Sequence, residues 1–229
     1  MDVPSMFSEF QDHGFNDVSP TRMLSIIQDT VWQIEALRAW PFLMTTWNLT
    51  FDGTHPYPSN WPVTPTLRAS VRLIDQSTGR RILPVRAEEA LSRQGIEGSQ
   101  VGTPMYYYFV GTQLNVFPIA NPTTMQLYGA QWSPALTTSS PESAFLIPPQ
   151  FHRGLIVNGA LQRLYAMEDD TELAPLFQSY QSAAMDMAVE ALFKQQYDRG
   201  DHVRVEDPDS WEWGQTHFLG PVLLNPSSM

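Results

Sequence analysis

The chain has 229 residues, 42% of them hydrophobic, enough to bury one large core or two smaller ones. It has no cysteine, which excludes disulfides and thiolate metal sites, and its net charge is -11. A protein that grips DNA shows a basic stripe that neutralises phosphates, and none is evident here, so ordinary DNA binding is excluded as well.

The negative charge is unevenly placed. Residues 1–38 carry -4, residues 39–165 carry +2, residues 166–197 carry -5 and residues 198–229 carry -4. Acidic outer segments thus enclose a slightly basic centre. The plain reading is solubility; the sharper one is a surface that must not adhere to a nearby polyanion, repelling it over roughly 8–10 Å in physiological salt. Met1 to Phe10 lacks the basic start and apolar run of a signal peptide. No stretch approaches the roughly 18 apolar residues that span a bilayer. The expected setting is a reducing cytoplasm, with no membrane.

Residues before Ser19 are polar with scattered Phe7, Phe10 and Phe15, a short helix or a docking arm. Ser19-Pro20 is a helix start, with serine as cap and proline at the first helical position. Met23, Ile26, Ile27, Thr30, Val31, Ile34 and Leu37 then recur with helical spacing and predict one buried face up to Ala39. Trp40-Pro41 closes that helix, because proline disfavours helical geometry in the residue before it.

Beyond Pro41 the hydrophobic period changes to two. Trp47, Leu49 and Phe51 alternate with polar residues, as do Leu67, Ala69, Val71 and Leu73. Between them, the proline-rich stretch 52–65 reads as a loop, and Asp75 to Gly79 turns into a partner strand over 81–85. Residues 87–93 have the composition of a short helix. A hairpin runs from Met105 to Phe117 through Gly111-Thr112, and 125–132 reads as another strand.

Pro148-Pro149 ends this region and helical spacing returns. Leu155, Ile156, Ala160, Leu164 and Met167 predict one helix. The acidic break Glu168-Asp169-Asp170-Thr171-Glu172 charges the start of a second. Leu173, Leu176, Phe177, Tyr180, Ala184, Met187, Ala188, Ala191 and Leu192 are expected on one face of it. The expected architecture is α+β: a helical bundle over 19–39, 150–167 and 171–197, with an inserted, mostly antiparallel β region and an extended C-terminal arm. Its segments are residues 1–41, 42–149, 150–197 and 198–229. The last keeps Trp211, Trp213 and Phe218 without periodicity, and these are candidate assembly contacts.

The order of these features resembles that of the head-to-tail connector adaptor proteins of tailed bacteriophages. The resemblance rests on the helix ending in Trp40-Pro41-Phe42-Leu43, then Pro104 to Phe109 leading through a hairpin to Leu114 to Pro118. Leu127 to Trp132 and the acidic helical hairpin complete it. It implies a virion structural protein: an adaptor ring of twelve copies in the neck, docked to the portal protein and followed by the next tail or stopper protein. Double-stranded DNA would pass through the ring without specific contact during packaging and ejection. Assembly would take place in the bacterial host cytoplasm. Glu168, Asp169, Asp170 and Glu172 are the candidate channel residues.

Enzyme chemistry finds little support. None of His13, His55, His152, His202 and His217 stands at metal-ligand spacing with another, so neither metal nor cofactor is expected. Glu88-Glu89 point to different sides of a helix, as in a solvated face rather than an acid/base pair. Neither a GxSxG elbow nor a phosphate-binding loop occurs. Tyr106 to Phe109 could stack on sugars or bases, but alternating strand aromatics are more often packing. The alternative function is therefore a minor tail or receptor/carbohydrate-binding β module, and the acidic helical pair favours the adaptor.

Overall fold

A computed structural model describes residues 1–63, 66–97 and 100–198. In chain order its elements are α1 (Val3–Asp12), α2 (Pro20–Leu37), β1 (Met44–Phe51), β2 (Leu67–Asp75), β3 (Arg81–Pro84), α3 (Ala87–Glu97) and β4 (Val101–Gly102). Then follow β5 (Tyr106–Val110), β6 (Gln113–Phe117), β7 (Ile119–Ala120), β8 (Thr123–Gln131), α4 (Asn158–Met167) and α5 (Leu173–Asp198). The chain divides into two compact units. Among the described residues, a helical unit joins Met1–Leu43 to 132–198, and a sheet unit is formed by Met44–Gln131.

In the helical unit, α1 is capped by Asp2, which accepts from the Ser5 N–H at 2.9 Å, and it buries Val3, Met6 and Phe10. Ser19 Oγ accepts from the Arg22 N–H at 3.3 Å and starts α2, whose buried stripe runs from Met23 to Ile34. After Leu37 the chain straightens at Arg38. Trp40 then folds back and donates its indole N–H to the Ile34 carbonyl at 2.7 Å, satisfying an acceptor of the last turn. An extended strap lies along α2: Ser133 N–H donates to the buried Glu35 carboxylate at 3.1 Å, and Leu136 N–H to Gln28 Oε1 at 2.6 Å.

Helix α5 comes close to the preceding chain at two glycines. A Cβ at Gly154 would lie 2.7 Å from the Ala184 methyl, and one at Gly159 would meet Gln181 and lie 2.8 Å from the Thr30 methyl. Gly154 lies in a π-helical turn over His152–Val157 that feeds α4, where Gly159 sits. His152 is wholly buried, with Nε2 2.7 Å from the Ile147 carbonyl. Burial pushes its imidazole below the usual value. The unfolded chain therefore takes up a proton more readily than the folded one. This contribution to stability is full above about pH 6.5 and drains as pH falls through that value, by at most about 1.4 kcal/mol per pH unit. Melting curves at stepped pH should show the decline, and H152Q should lose that component; equal acid sensitivity in both proteins would refute it.

The sheet unit is built on one curled six-stranded sheet in the order β1-β8-β2-β3-β5-β6. All neighbours are antiparallel except β3 and β5, while β4 and β7 form a separate parallel pair. The sheet curls around Trp47, Leu49, Phe51, Leu73, Ile82, Leu114, Val116, Met125 and Leu127. The proline-rich loop closes the seam. Ser59 N–H donates to the Thr50 carbonyl at 2.8 Å and Asn60 Nδ2 to the Asn48 carbonyl at 2.8 Å, on the outer edge of β1. On the other side Val116 N–H of β6 donates to the Pro56 carbonyl at 2.7 Å, and Trp61 Nε1 to the Thr112 carbonyl at 3.1 Å. One loop thus covers parts of both edge strands, whose open hydrogen-bonding groups would otherwise template aggregation.

The architecture is α+β, but it corrects the expected bundle. The six-stranded sheet, mixed through its one parallel pair, is a compact body in its own right, and the remaining elements do not make the expected helical bundle with a long hairpin. The long helical hairpin over 150–197 is also absent. Pro148-Pro149 opens only a 3-10 turn, the next six residues form the π turn, and regular α4 is left with 10 residues beside the 26 of α5. Nor does α5 carry one apolar face. Phe177 and Ala188 are buried, whereas Leu176, Tyr180 and Met187 are exposed. Helical spacing by itself could not show this, because apolar residues occur around most of the helix and only the neighbours decide which are covered.

Candidate functional site

The four acidic candidates lie together in the turn between α4 and α5. Tyr165 terminates α4 by offering its carbonyl to the N–H groups of Glu168 at 3.1 Å and Asp170 at 3.0 Å. Asp169 takes the left-handed conformation, φ 55°, which asparagine and aspartate tolerate better than most residues. Asp170 then turns inward. Its Oδ1 accepts from the N–H groups of Glu172 at 2.9 Å and Leu173 at 2.8 Å, so it caps α5.

That divides the four by role. Asp170 is half-buried and holds the helix start, while Glu168, Asp169 and Glu172 are exposed. Three exposed carboxylates on one short turn present concentrated negative charge to whatever passes, and among the described residues no cation forms a salt bridge with them. Beneath the turn is a packed aromatic floor. Tyr165 stacks on Phe177 with centroids 5.4 Å apart and 12° between planes, and Phe15 and His13 pack edge-on against the pair. The Tyr165 hydroxyl is 3.1 Å from His13 Nδ1. Its pKa is pushed up by desolvation and further by the Asp170 and Glu168 charges, so it stays a neutral hydrogen-bonding group. Sequence reasoning did not find this floor; the scattered Phe15 and His13 only meet Tyr165 and Phe177 through the tertiary fold.

Trp211, Trp213 and Phe218 lie outside the described residues. Glu88 and Glu89 are both exposed in the first turn of α3. Of the aromatic run, Tyr107 belongs to the main core of the sheet unit, and Tyr108 packs with Ala90 and Phe117 in a smaller cluster. Burial pushes the pKa of both phenols up. These two rings are occupied by packing and present no stacking platform. Among the described residues there is no group of three or more histidine, aspartate or glutamate side chains able to hold a metal ion. No helix among them is long and apolar enough to cross a membrane.

Compared with known proteins, the chain matches no curated protein at a meaningful level. The model of one protein family, SU10 adaptor protein, does match it, over residues 1–206. That span takes in both compact units and the acidic turn. The chain belongs to the SU10 adaptor protein family and is an adaptor-type protein of a bacteriophage.

Proposed function

We propose that this protein acts without catalysis as the ring-forming adaptor between the portal and the tail, and that the genome passes through the ring. The family match over residues 1–206 carries the reading. The acidic turn supports it. In a ring of twelve copies, Glu168, Asp169 and Glu172 facing the bore would place roughly thirty-six carboxylates around the duplex, too negative a wall for phosphates to adhere to. Partners would be copies of itself, the portal protein and the next tail or stopper protein, and the site of action the virion neck.

Two measurements test this. Electron microscopy of the purified protein with and without portal protein should show rings seated on the portal; a chain that neither forms rings nor binds portal overturns the assignment. For the acidic wall, Glu168→Lys, Asp169→Lys and Glu172→Lys together should leave assembly intact and slow DNA ejection. The slowing should be greatest at low ionic strength, where the screening length exceeds about 10 Å. Asp170 is left in place because it caps α5. Normal ejection at low salt would remove the bore-facing role and leave the adaptor role standing.

A further inference from the structure

Two surfaces are unmatched among the described residues and complementary to each other. The first is the outer stripe of α5. Leu176, Tyr180 and Met187 recur at spacings of four and seven, so they share one helix face, and they are 40%, 49% and 66% exposed. Exposed Asp186 flanks them. A helix that is apolar on most sides is stable when covered on most sides, and among the described residues α5 is covered on one. The described parts of the helical unit carry net charge -9, so this stripe sits on a strongly acidic body.

The second surface is the outer face of the sheet. Register places Tyr128 opposite both Thr46 and Arg72, and Gln126 opposite both Asn48 and Ile74. Arg81 pairs with Ile74, and Leu83 follows two residues on. The outward residues of β1, β8, β2 and β3 include no carboxylate, because Asp75 turns inward to close the β2–β3 turn. Arg72 lies over the Tyr128 ring at 4.1 Å, which holds its guanidinium flat on the face. Arg81 and Leu83 are exposed beside it.

We infer that the outer stripe of α5 docks on this β face of a second copy of the chain. Apolar Leu176, Tyr180 and Met187 would cover Ile74 and Leu83, and Asp186 would meet Arg72 and Arg81. Charge complementarity selects the partner: α5 against α5 sets acid against acid, and β face against β face sets arginine against arginine. Each contact consumes one face of each kind and leaves one of each free, so copies add head to tail until a ring closes. The inference rests on the ring reading above and adds the surfaces that make the ring.

The test uses two variants of the full chain, both altered only at exposed residues and checked for wild-type circular dichroism and melting. Y180R/M187R disables the α5 stripe, and R72S/R81S disables the β face. In sedimentation at low salt each should self-associate at least tenfold more weakly than wild type. Mixed together, they should give a one-to-one heterodimer that grows no further, since one good face remains on each. Raising the salt should weaken the wild-type assembly. Wild-type rings that persist in both variants would overturn the assigned faces and leave the ring reading intact. Self-association lost in only one variant, or wild type stopping at a dimer, would overturn head-to-tail addition. A wild-type chain that stays monomeric and ignores portal protein would overturn both readings.

Discussion

Trp40→Ala should destabilise the helical unit by about 3–5 kcal/mol, the range for truncating a buried aromatic. Trp40 is wholly buried, stacks on Phe42 with centroids 5.5 Å apart and lies 6.1 Å from Phe193 of α5. Alanine would empty that space and also strip the Ile34 carbonyl of its indole donor. Trp40→Phe separates the two effects. It keeps most of the apolar volume and loses only the hydrogen bond, so about 1–3 kcal/mol is expected. Denaturant titration of the three proteins measures both steps. A Trp40→Ala protein within 1 kcal/mol of wild type would show that the ring is not a keystone of this unit.

Gly129→Val should do comparable damage to the sheet unit, at about 3 kcal/mol or more, because the backbone itself must move. Gly129 sits in β8 between β1 and β2, opposite Thr45 on one side and Ser70 on the other. A Cβ there would strike the Ala69 carbonyl oxygen and lie 3.0 Å from Leu67 Cδ1 and 3.1 Å from Trp47 Cζ3. The register of β2 against β8 shifts on both sides of this point, between Leu67 and Ala69 and between Ser70 and Arg72. The missing side chain lets the bulged strand come close. Gly111→Val offers a contrast. Gly111 has open space around its Cβ position but a φ of 58°, so its cost would come from backbone strain alone, about 1–2 kcal/mol. Equal losses at the two sites would argue against crowding as the cause at Gly129.

Local signals decided much of the secondary structure. Ser19-Pro20 specifies the start of α2 because a hydroxyl cap and a proline at the first helical position satisfy that end regardless of context. The alternation of Trp47, Leu49 and Phe51 specifies β1 and its buried face, since the side-chain period of a strand is two. Gly111 places the turn of the β5–β6 hairpin by tolerating positive φ. The acidic turn is equally legible as a helix boundary, although its division into a capping Asp170 and three exposed carboxylates is settled only by the folded turn.

What the tertiary structure alone decided is how those elements share their surfaces. The curled sheet becomes a body of its own because one proline-rich loop, extended and without periodicity, satisfies backbone groups on both edge strands; its bonds to the β5–β6 hairpin, 51 and 60 residues away, leave no local trace. Helical spacing over 155–167 could not reveal that Gly154 and Gly159 are there to admit Ala184 and Gln181, nor that the first turns wind as a π helix. For α5 the sequence determined a helix and tertiary packing determined its exposed side. Hydrophobicity is a property of each residue, whereas burial depends on what lies opposite it, and Leu176, Tyr180 and Met187 stay exposed among the described residues despite their apolar character.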